Sequence, residues 1–102
     1  MLQLIQNNLN ICPKTKINII WGNITNGIKI SDDDYNYLSE IKEIKQIEYI
    51  ENGCWIVNKY NKVWYKFGKR HREDGPAVEW ASGFKEYCLD GVYIRGEIYE
   101  HV

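Results

Sequence analysis

The sequence has little of what marks secreted, membrane-spanning or metal-binding proteins. Its three cysteines form no close pair and no metal-type spacing, and no apolar run approaches the roughly 18 residues of a membrane helix. The first residues also lack the basic start and the length of a signal peptide. We therefore predict a cytoplasmic protein without a membrane span. Its thiols, Cys12, Cys54 and Cys88, are expected to be buried or partly buried and unreactive.

An excess of positive charge is missing as well. The chain has 13 Lys and Arg against 14 Asp and Glu, which gives a net charge of −1 and a pI near 6.1. Nucleic-acid-binding domains are usually basic, so this balance disfavours a general nucleic-acid binder but leaves room for a local basic patch.

Sequence patterns that carry catalysis are also missing. There is no phosphate-binding glycine loop, no HExxH and no paired-carboxylate pattern. His71 and Asp74 could form a base and its orienting carboxylate, but no nucleophile is well placed beside them. The sequence predicts no enzyme, no metal site and no cofactor.

What the chain does have is enough apolar surface for one small domain. Of its 102 residues 44% are apolar, and four Trp and eight Tyr supply much of that share. A chain of this length buries about two-thirds of its unfolded surface, so we expect a single domain over residues 1–102 with a modest core. Trp and Tyr also favour binding surfaces.

The first part of the chain predicts short strands and a hairpin. Residues 1–16 carry mixed signals, because Leu2, Leu4 and Ile5 could form a short strand whereas Asn7-Asn8 and Cys12-Pro13 indicate turns. Ile17–Trp21 is β-branched with an aromatic end, which favours a second strand. Asn26-Gly27 favours a hairpin turn, and the alternating Ile28–Ile30 would return from it.

A helix is predicted next. Ser31 and three aspartates can cap a helix and lie at the positive end of its dipole. Leu38, Ile41 and Ile44 then recur at helical spacing, which predicts one amphipathic helix over about 32–46.

From residue 47 onward, short apolar segments between turn residues predict an antiparallel meander. A hairpin is expected at Asn52-Gly53, between strands near 47–50 and 54–57. Further strands are predicted near 62–67, 77–80, 84–89, 92–95 and 97–101. The predicted fold class is α+β, mostly an antiparallel β meander of repeated hairpins with one amphipathic helix. Residues 1–50 would form a hairpin plus helix element, and residues 51–102 a β-repeat region.

Parts of the second half repeat at an interval of 23 residues. Lys62, Trp64, Gly68 and Arg72 fall on Lys85, Tyr87, Gly91 and Arg95. An aromatic-x-x-x-Gly spacing also begins at Tyr49, Trp64 and Tyr87. A fixed period in the 20s is typical of a small reused supersecondary unit.

The run Lys69–Ala77 contains His-Arg-x-Asp-Gly-Pro-Ala, and it is preceded by Trp-Tyr-x-x-Gly-Lys. This signature resembles the MORN-like repeat variants of phage, giant-virus and bacterial proteins. The resemblance covers about residues 62–96, with one full unit and a partial second one that lacks the Gly-Pro-Ala. It implies a string of β-hairpins in a twisted, elongated sheet that serves as a scaffold or a protein-binding surface. No catalytic residues come with the family.

The parts of the signature also have backbone roles. Asp74-Gly75-Pro76 is turn chemistry, since Asp bonds backbone amides, Gly allows positive φ and Pro fixes its own φ. His71 and Arg72 could fold back onto turn carbonyls or pair with Glu73 or Asp74. This structural role is the favoured interpretation of the signature.

A basic-aromatic cluster is the candidate partner-binding site. Its residues are Trp64, Tyr65, Lys66, Lys69, Arg70, His71 and Arg72, together with Tyr87 from the partial second unit. Such a cluster can hold an acidic protein surface, hold a nucleic-acid backbone with stacked bases, or be a solvated face. Near-neutral net charge favours a protein partner over nucleic acid.

We therefore predict a small non-enzymatic protein-protein interaction module. One specific form is a phage-encoded inhibitor of a bacterial defence complex, such as an anti-CRISPR. The alternatives are a nucleic-acid-binding protein that uses the Lys66–Arg72 cluster, and a self-assembling scaffold. The scaffold would be a homo-oligomer that extends its sheet through residues 97–101.

Overall fold

The computed structural model describes residues 12–98 and confirms an α+β fold that is mostly antiparallel β. Two helices come first, α1 (Pro13–Thr25) and α2 (Asp32–Lys42). Seven strands follow: β1 (Ile44–Ile50), β2 (Gly53–Asn58), β3 (Asn61–Lys66), β4 (Lys69–Arg70), β5 (Val78–Trp80), β6 (Phe84–Leu89) and β7 (Val92–Ile98). The strand predicted near residues 2–5 and the last part of the one predicted at 97–101 lie outside the described residues.

The strands form one antiparallel sheet in the order β1-β2-β3-β5-β6-β7. The first half of β3 pairs with β5, and its second half pairs with the two-residue β4. The predicted meander is therefore confirmed, with β4 as an addition. Within the described chain β1 and β7 are the two edges of the sheet. The molecule is elongated and measures 60 × 24 × 19 Å.

The hairpin predicted from Ile17–Trp21 and Ile28–Ile30 is wrong, because residues 13–25 form α1 and residues 28–30 have no regular structure. Pro13 stands at the start of the helix, where its missing N–H costs nothing. The isoleucines that suggested a strand also lie at helical spacing. Ile20 and Ile24 are buried on one face of α1, so tertiary packing decided between the two patterns.

Asn26-Gly27 ends this helix instead of turning a hairpin. The N–H of Gly27 donates to the Ile24 carbonyl at 2.9 Å, and the N–H of Ile28 donates to the Asn23 carbonyl at 2.9 Å. Gly27 has a φ of +84°. These two bonds and the left-handed glycine make a Schellman motif, which satisfies helix carbonyls that would otherwise lack partners. Asn-Gly suits both structures, so the dipeptide alone could not distinguish them.

The helix predicted over 32–46 is present as the shorter α2. The Ser31 hydroxyl accepts a hydrogen bond from the Asp34 N–H at 3.2 Å, as expected of an N-cap. The helix ends at Glu43, whose φ of 53° is left-handed, and Ile44 already begins β1. Ile44 is buried, but Ile41, which helical spacing placed on the apolar face, is 46% exposed.

Both helices pack on one face of the sheet, at its β1–β2 end. The core cluster consists of Ile20, Ile24, Leu38, Ile44, Cys54 and Ile56. At its border Trp21 of α1 meets Tyr65 of β3 edge to face, with ring centroids 5.6 Å apart. The hydrophobic core therefore lies toward one end of a long sheet.

Two hairpin turns share the same backbone conformation. Phe67-Gly68 joins β3 to β4 with φ values of 50° and 77°, and Asp90-Gly91 joins β6 to β7 with 49° and 82°. Two consecutive positive φ values are typical of a type I′ turn. The two turns lie 23 residues apart, at the interval found in the sequence.

The hairpin predicted at Asn52-Gly53 is present, but its loop is Glu51-Asn52 and Gly53 already belongs to β2. A Cβ on Gly53 would lie 1.9 Å from the Tyr65 carbonyl oxygen. The glycine is thus needed for a close approach of β2 and β3 and not for the turn.

The break predicted between strands 92–95 and 97–101 is absent, because β7 runs without interruption from Val92 to Ile98. Gly96 lies inside it, paired with Glu86. A Cβ there would lie 2.5 Å from the side chains of both Phe84 and Tyr93. The glycine therefore leaves room for two aromatic rings instead of ending a strand.

The cysteines are free thiols, and they differ in exposure. Cys54 and Cys88 are buried as predicted, but Cys12 is exposed, which contradicts its predicted burial. Cys12 is the N-cap residue of α1, at the outer end of that helix. Burial raises the pKa of Cys54 to about 12 and also raises the pKa of Cys88.

Candidate functional site

The helix-free face of the sheet follows from strand geometry, since successive side chains point to opposite faces. Cys54 and Ile56 belong to the core under the helices, so Trp55 points the other way, and its cross-strand partner is Trp64. We call this side the open face. It is formed by Trp55, Lys62, Trp64, Lys66, Lys69, Arg72, Glu79, Lys85, Tyr87, Arg95 and Glu97.

The open face begins with a pair of tryptophans that share one cation. The rings of Trp55 and Trp64 lie 5.8 Å apart and are tilted by 42°. The Lys62 ammonium lies 4.2 Å from the centre of the Trp55 ring and 5.1 Å from that of Trp64. A cation this close to aromatic faces is attracted by the ring quadrupoles, so the three side chains hold one another in place.

Arg72 continues the open face from the other side of Trp64. Its guanidinium lies 4.2 Å above the Trp64 ring. It also forms ion pairs with Asp74 and Glu79, each at 3.1 Å, and donates to the Pro76 carbonyl at 3.3 Å. Glu79 in turn lies 3.6 Å from the ammonium of Lys85 on β6. The positive charge of Arg72 is therefore largely neutralised.

These contacts explain the His-Arg-x-Asp-Gly-Pro-Ala signature. A Cβ on Gly75 would lie 2.9 Å from the Arg72 guanidinium carbon, so glycine makes room for the arginine. Ala77 is fully buried, and its carbonyl accepts from the Trp64 N–H at 2.8 Å. The predicted structural role of Arg72 is confirmed, because it bonds a turn carbonyl and Asp74 as expected.

His71 is tied to the next hairpin. Its side chain is 13% exposed, and its Nδ1 accepts a hydrogen bond from the Asp90 N–H at 3.0 Å. Its Nε2 lies 3.6 Å from the Glu73 carboxylate. Asp74, the predicted orienting carboxylate, accepts from Arg72. His71 thus links the irregular segment after β4 to the β6–β7 turn.

A further aromatic-cation pair lies at the β6–β7 end of the open face. The Arg95 guanidinium lies 3.9 Å from the centre of the Tyr87 ring and 2.6 Å from the Glu97 carboxylate. The Tyr87 hydroxyl lies 3.3 Å from the same carboxylate. The hydrogen bond from Arg95 lowers the pKa of Glu97.

The structure divides the predicted binding cluster between the two faces. Tyr65 packs against α1, where burial raises its pKa, and its β4 partner Arg70 lies on that same side. Lys66 on β3 and Lys69 on β4 are directly opposite each other in the strand register. Both lie on the side of the sheet that carries Trp64. Neither lysine has an ion-pair partner within residues 12–98. The open face therefore keeps Trp64, Lys66, Lys69, Arg72 and Tyr87, whereas Tyr65 and Arg70 face the helices.

Two shallow grooves flank Arg72. One of about 290 Å³ runs toward β7 and is lined by Arg72, Gly75, Tyr87, Leu89, Ile94 and Arg95. The other, of about 170 Å³, lies between Trp64, Lys66 and Asp74. Each has room for a single large side chain and lies next to a half-buried aromatic ring.

Sequence reasoning missed several residues of this face, among them Trp55, Lys62, Arg95 and Glu97. One signal was available. The 23-residue repeat relates Lys62 to Lys85 and Arg72 to Arg95, and strand alternation puts Lys62 on the face of Trp64. What was missing was the pairing of β2 with β3, which brings Trp55 beside Trp64.

Comparison with protein-family models, curated proteins and solved structures found no match. The resemblance to MORN-like repeats therefore stays a prediction from the signature. Among residues 12–98, no helix is long and apolar enough to cross a membrane. In the same range, no three His, Cys, Asp or Glu side chains are grouped as metal ligands would be.

Proposed function

We propose that this protein is a small non-enzymatic interaction module that binds a partner protein through its open face. The observation that carries the proposal is the layer of Trp55, Trp64 and Tyr87, each with a cation over its ring. Trp, Tyr and Arg are the residues that contribute most to protein interfaces. Their positions are held by ion pairs and ring contacts, so little side-chain entropy is lost on binding.

The charges of the open face favour a protein partner over nucleic acid. Arg72 is paired with Asp74 and Glu79, Lys85 with Glu79, and Arg95 with Glu97. Phosphate backbones are bound by cations that are available to replace counterions. Cations alternating with carboxylates suit a protein surface of mixed charge, with Lys66 and Lys69 as the positive positions that remain open to an acidic partner.

The test compares two double variants with the same change in net charge. Lys66→Glu with Lys69→Glu reverses the charge on the open face. Lys14→Glu with Lys29→Glu is the control. It reverses the same amount of charge away from the open face, at exposed positions of α1 and of the segment before α2. Tagged forms of each, and of the natural chain, are used for pull-down from nuclease-treated bacterial lysate with mass spectrometry.

We expect a stoichiometric protein partner that the natural chain and the Lys14/Lys29 variant retain and the Lys66/Lys69 variant loses. Equal retention by both variants would contradict binding through the open face. Retention that appears only when nuclease is omitted would favour the nucleic-acid alternative.

Arg72 is unsuitable for this test, because its removal would also release Asp74, Glu79 and the Pro76 carbonyl. The narrower proposal, inhibition of a bacterial defence complex, is supported by the resemblance to repeats of phage proteins. It expects the retained partner to be a subunit of such a complex, and the purified protein to slow that complex's cleavage of target DNA.

A further inference from the structure

The edge strand β7 carries an unusual amount of exposed apolar surface. Val92, Tyr93, Ile94 and Ile98 are 53–71% exposed, and Leu89 next to the turn is 42% exposed. Within residues 12–98, no strand pairs with the outer edge of β7. An edge with unpaired backbone groups and apolar side chains is a template for another strand.

The sequence of this edge is complementary to itself. From 94 to 98 it runs Ile-Arg-Gly-Glu-Ile, so reversing it exchanges only Arg95 and Glu97. If two copies of β7 pair antiparallel with Gly96 opposite Gly96, each Arg95 lies opposite a Glu97 of the other copy. Opposite charges directly across two strands stabilise their pairing.

Neighbouring registers lack this match. Centring the pair on Arg95 would place the two arginines opposite each other, and centring it on Glu97 would do the same with the two glutamates. Like charges directly opposite are destabilising, and a shift by one residue would turn each side chain to the other face. The charge pattern therefore selects the register centred on Gly96.

The other edge of the sheet does not offer the same pairing. On β1, centring on Ile47 sets Lys45 against Tyr49 and Gln46 against Glu48. Both edge strands have a register irregularity, β1 near Ile44 and Gln46 and β7 at Ile94, so the irregularity does not distinguish the edges. The difference lies in the charges, because only the β7 pairing sets opposite charges directly across from each other.

We infer that the outer edge of β7 binds β7 of a second copy of this chain, antiparallel and centred on Gly96, to form a two-fold symmetric dimer with one continuous sheet. The Arg95–Glu97 contact within each chain becomes part of a ring of four alternating charges. Ile94 of each copy lies opposite Ile98 of the other copy, so both side chains lose exposed area. The open faces of the two copies become adjacent, although the inference does not depend on the proposed function of that face.

The test uses charge reversal at Arg95 and Glu97, measured by sedimentation velocity at protein concentrations from micromolar to millimolar. We expect the mass of the natural chain to rise toward that of a dimer. Arg95→Glu alone and Glu97→Arg alone each set like charges opposite each other twice, so each should weaken self-association by about tenfold or more.

An equimolar mixture of the two single variants restores both opposite-charge pairs, and we expect it to form a heterodimer. The double variant Arg95→Glu with Glu97→Arg should dimerise like the natural chain, which also shows that the strand still folds. A natural chain that stays monomeric to millimolar concentration would overturn the inference. So would single variants that dimerise undiminished, or a mixture that does not recover. These outcomes do not change what the Lys66/Lys69 variant is expected to lose in the lysate pull-down. The dimer and the proposed function can therefore fail separately.

Discussion

At the residue scale, the guanidinium of Arg72 joins groups from four places in the chain: Asp74, the Pro76 carbonyl, Glu79 and the Trp64 ring. Charged hydrogen bonds of this kind are stronger than neutral ones and fix geometry. Arg72, which the sequence placed in the candidate binding cluster, therefore serves first to shape the segment between β4 and β5. In the proposed function, the side chains that this segment supports are the ones that contact the partner.

The three thiols give a residue-scale prediction. At pH 7.5 a thiol-specific disulfide reagent should modify Cys12 rapidly, because it is exposed and the Thr15 hydroxyl lowers its pKa. Cys54 and Cys88 should react at least about 100-fold more slowly, since burial blocks access and raises their pKa. Absorbance of the released thiolate gives the rates.

Cys12→Ser is the control, and it should abolish the rapid phase. Two rapid thiols in the folded protein would contradict the burial of Cys54 and Cys88.

Raising the pH should also destabilise the fold through Cys54. Its folded pKa, about 12, lies above the unfolded value of 9.0, so its contribution is complete below pH 9 and is lost as the pH rises toward 12.

At the element scale, α1 shows two patterns in one segment. A β-branched run favours a strand locally, yet the same isoleucines at helical spacing give an apolar face that β2 can cover. Helix propensity differs by less than about 1 kcal/mol between ordinary residues, so burial of Ile20 and Ile24 outweighs it.

Glycine substitutions test the helix at this scale. A Cβ on Gly22, in the interior of α1, would meet no atom within 4 Å. Gly22→Ala should therefore raise the free energy of unfolding by roughly 0.5–1 kcal/mol, as alanine does in a helix. Urea denaturation measures the change.

The matched substitution is Gly53→Ala, whose Cβ would clash with the Tyr65 carbonyl. It should lower the free energy of unfolding by roughly 3 kcal/mol or more. A Gly22→Ala chain no more stable than the natural one would contradict a helix at this position.

At the scale of the whole molecule, the core lies toward one end. The Cα radius of gyration is 15.8 Å, against about 13 Å expected for a compact chain of this length. Helices cover the sheet at β1 and β2, whereas β7 is largely exposed. The two ends should therefore differ in local stability.

Hydrogen exchange can measure this difference. At micromolar concentration, where we expect the chain to be monomeric, the amides of β7 should exchange at least about tenfold faster than those of β2, because local opening exposes less apolar surface there. Higher concentration should slow exchange in β7 alone if the strand is covered by a second copy. Uniform protection along the sheet would contradict a core placed at one end.

Much of the architecture could be predicted from the sequence. Turn dipeptides such as Asp90-Gly91 and short alternating segments gave the meander, because their preferences are local. The cap at Ser31 gave the start of α2 for the same reason. Asn26-Gly27 was misassigned because the same dipeptide suits two structures.

The sequence alone determined the α+β class, the antiparallel meander after residue 50 and the helix start at Ser31. Only the tertiary structure decided that residues 13–25 are helical, that Tyr65 and Arg70 face the helices, and that Trp55 lies beside Trp64. The physical reason is that turns and caps depend on a few adjacent residues. A face is defined by strand pairing and by what covers it, and both depend on residues far apart in the chain.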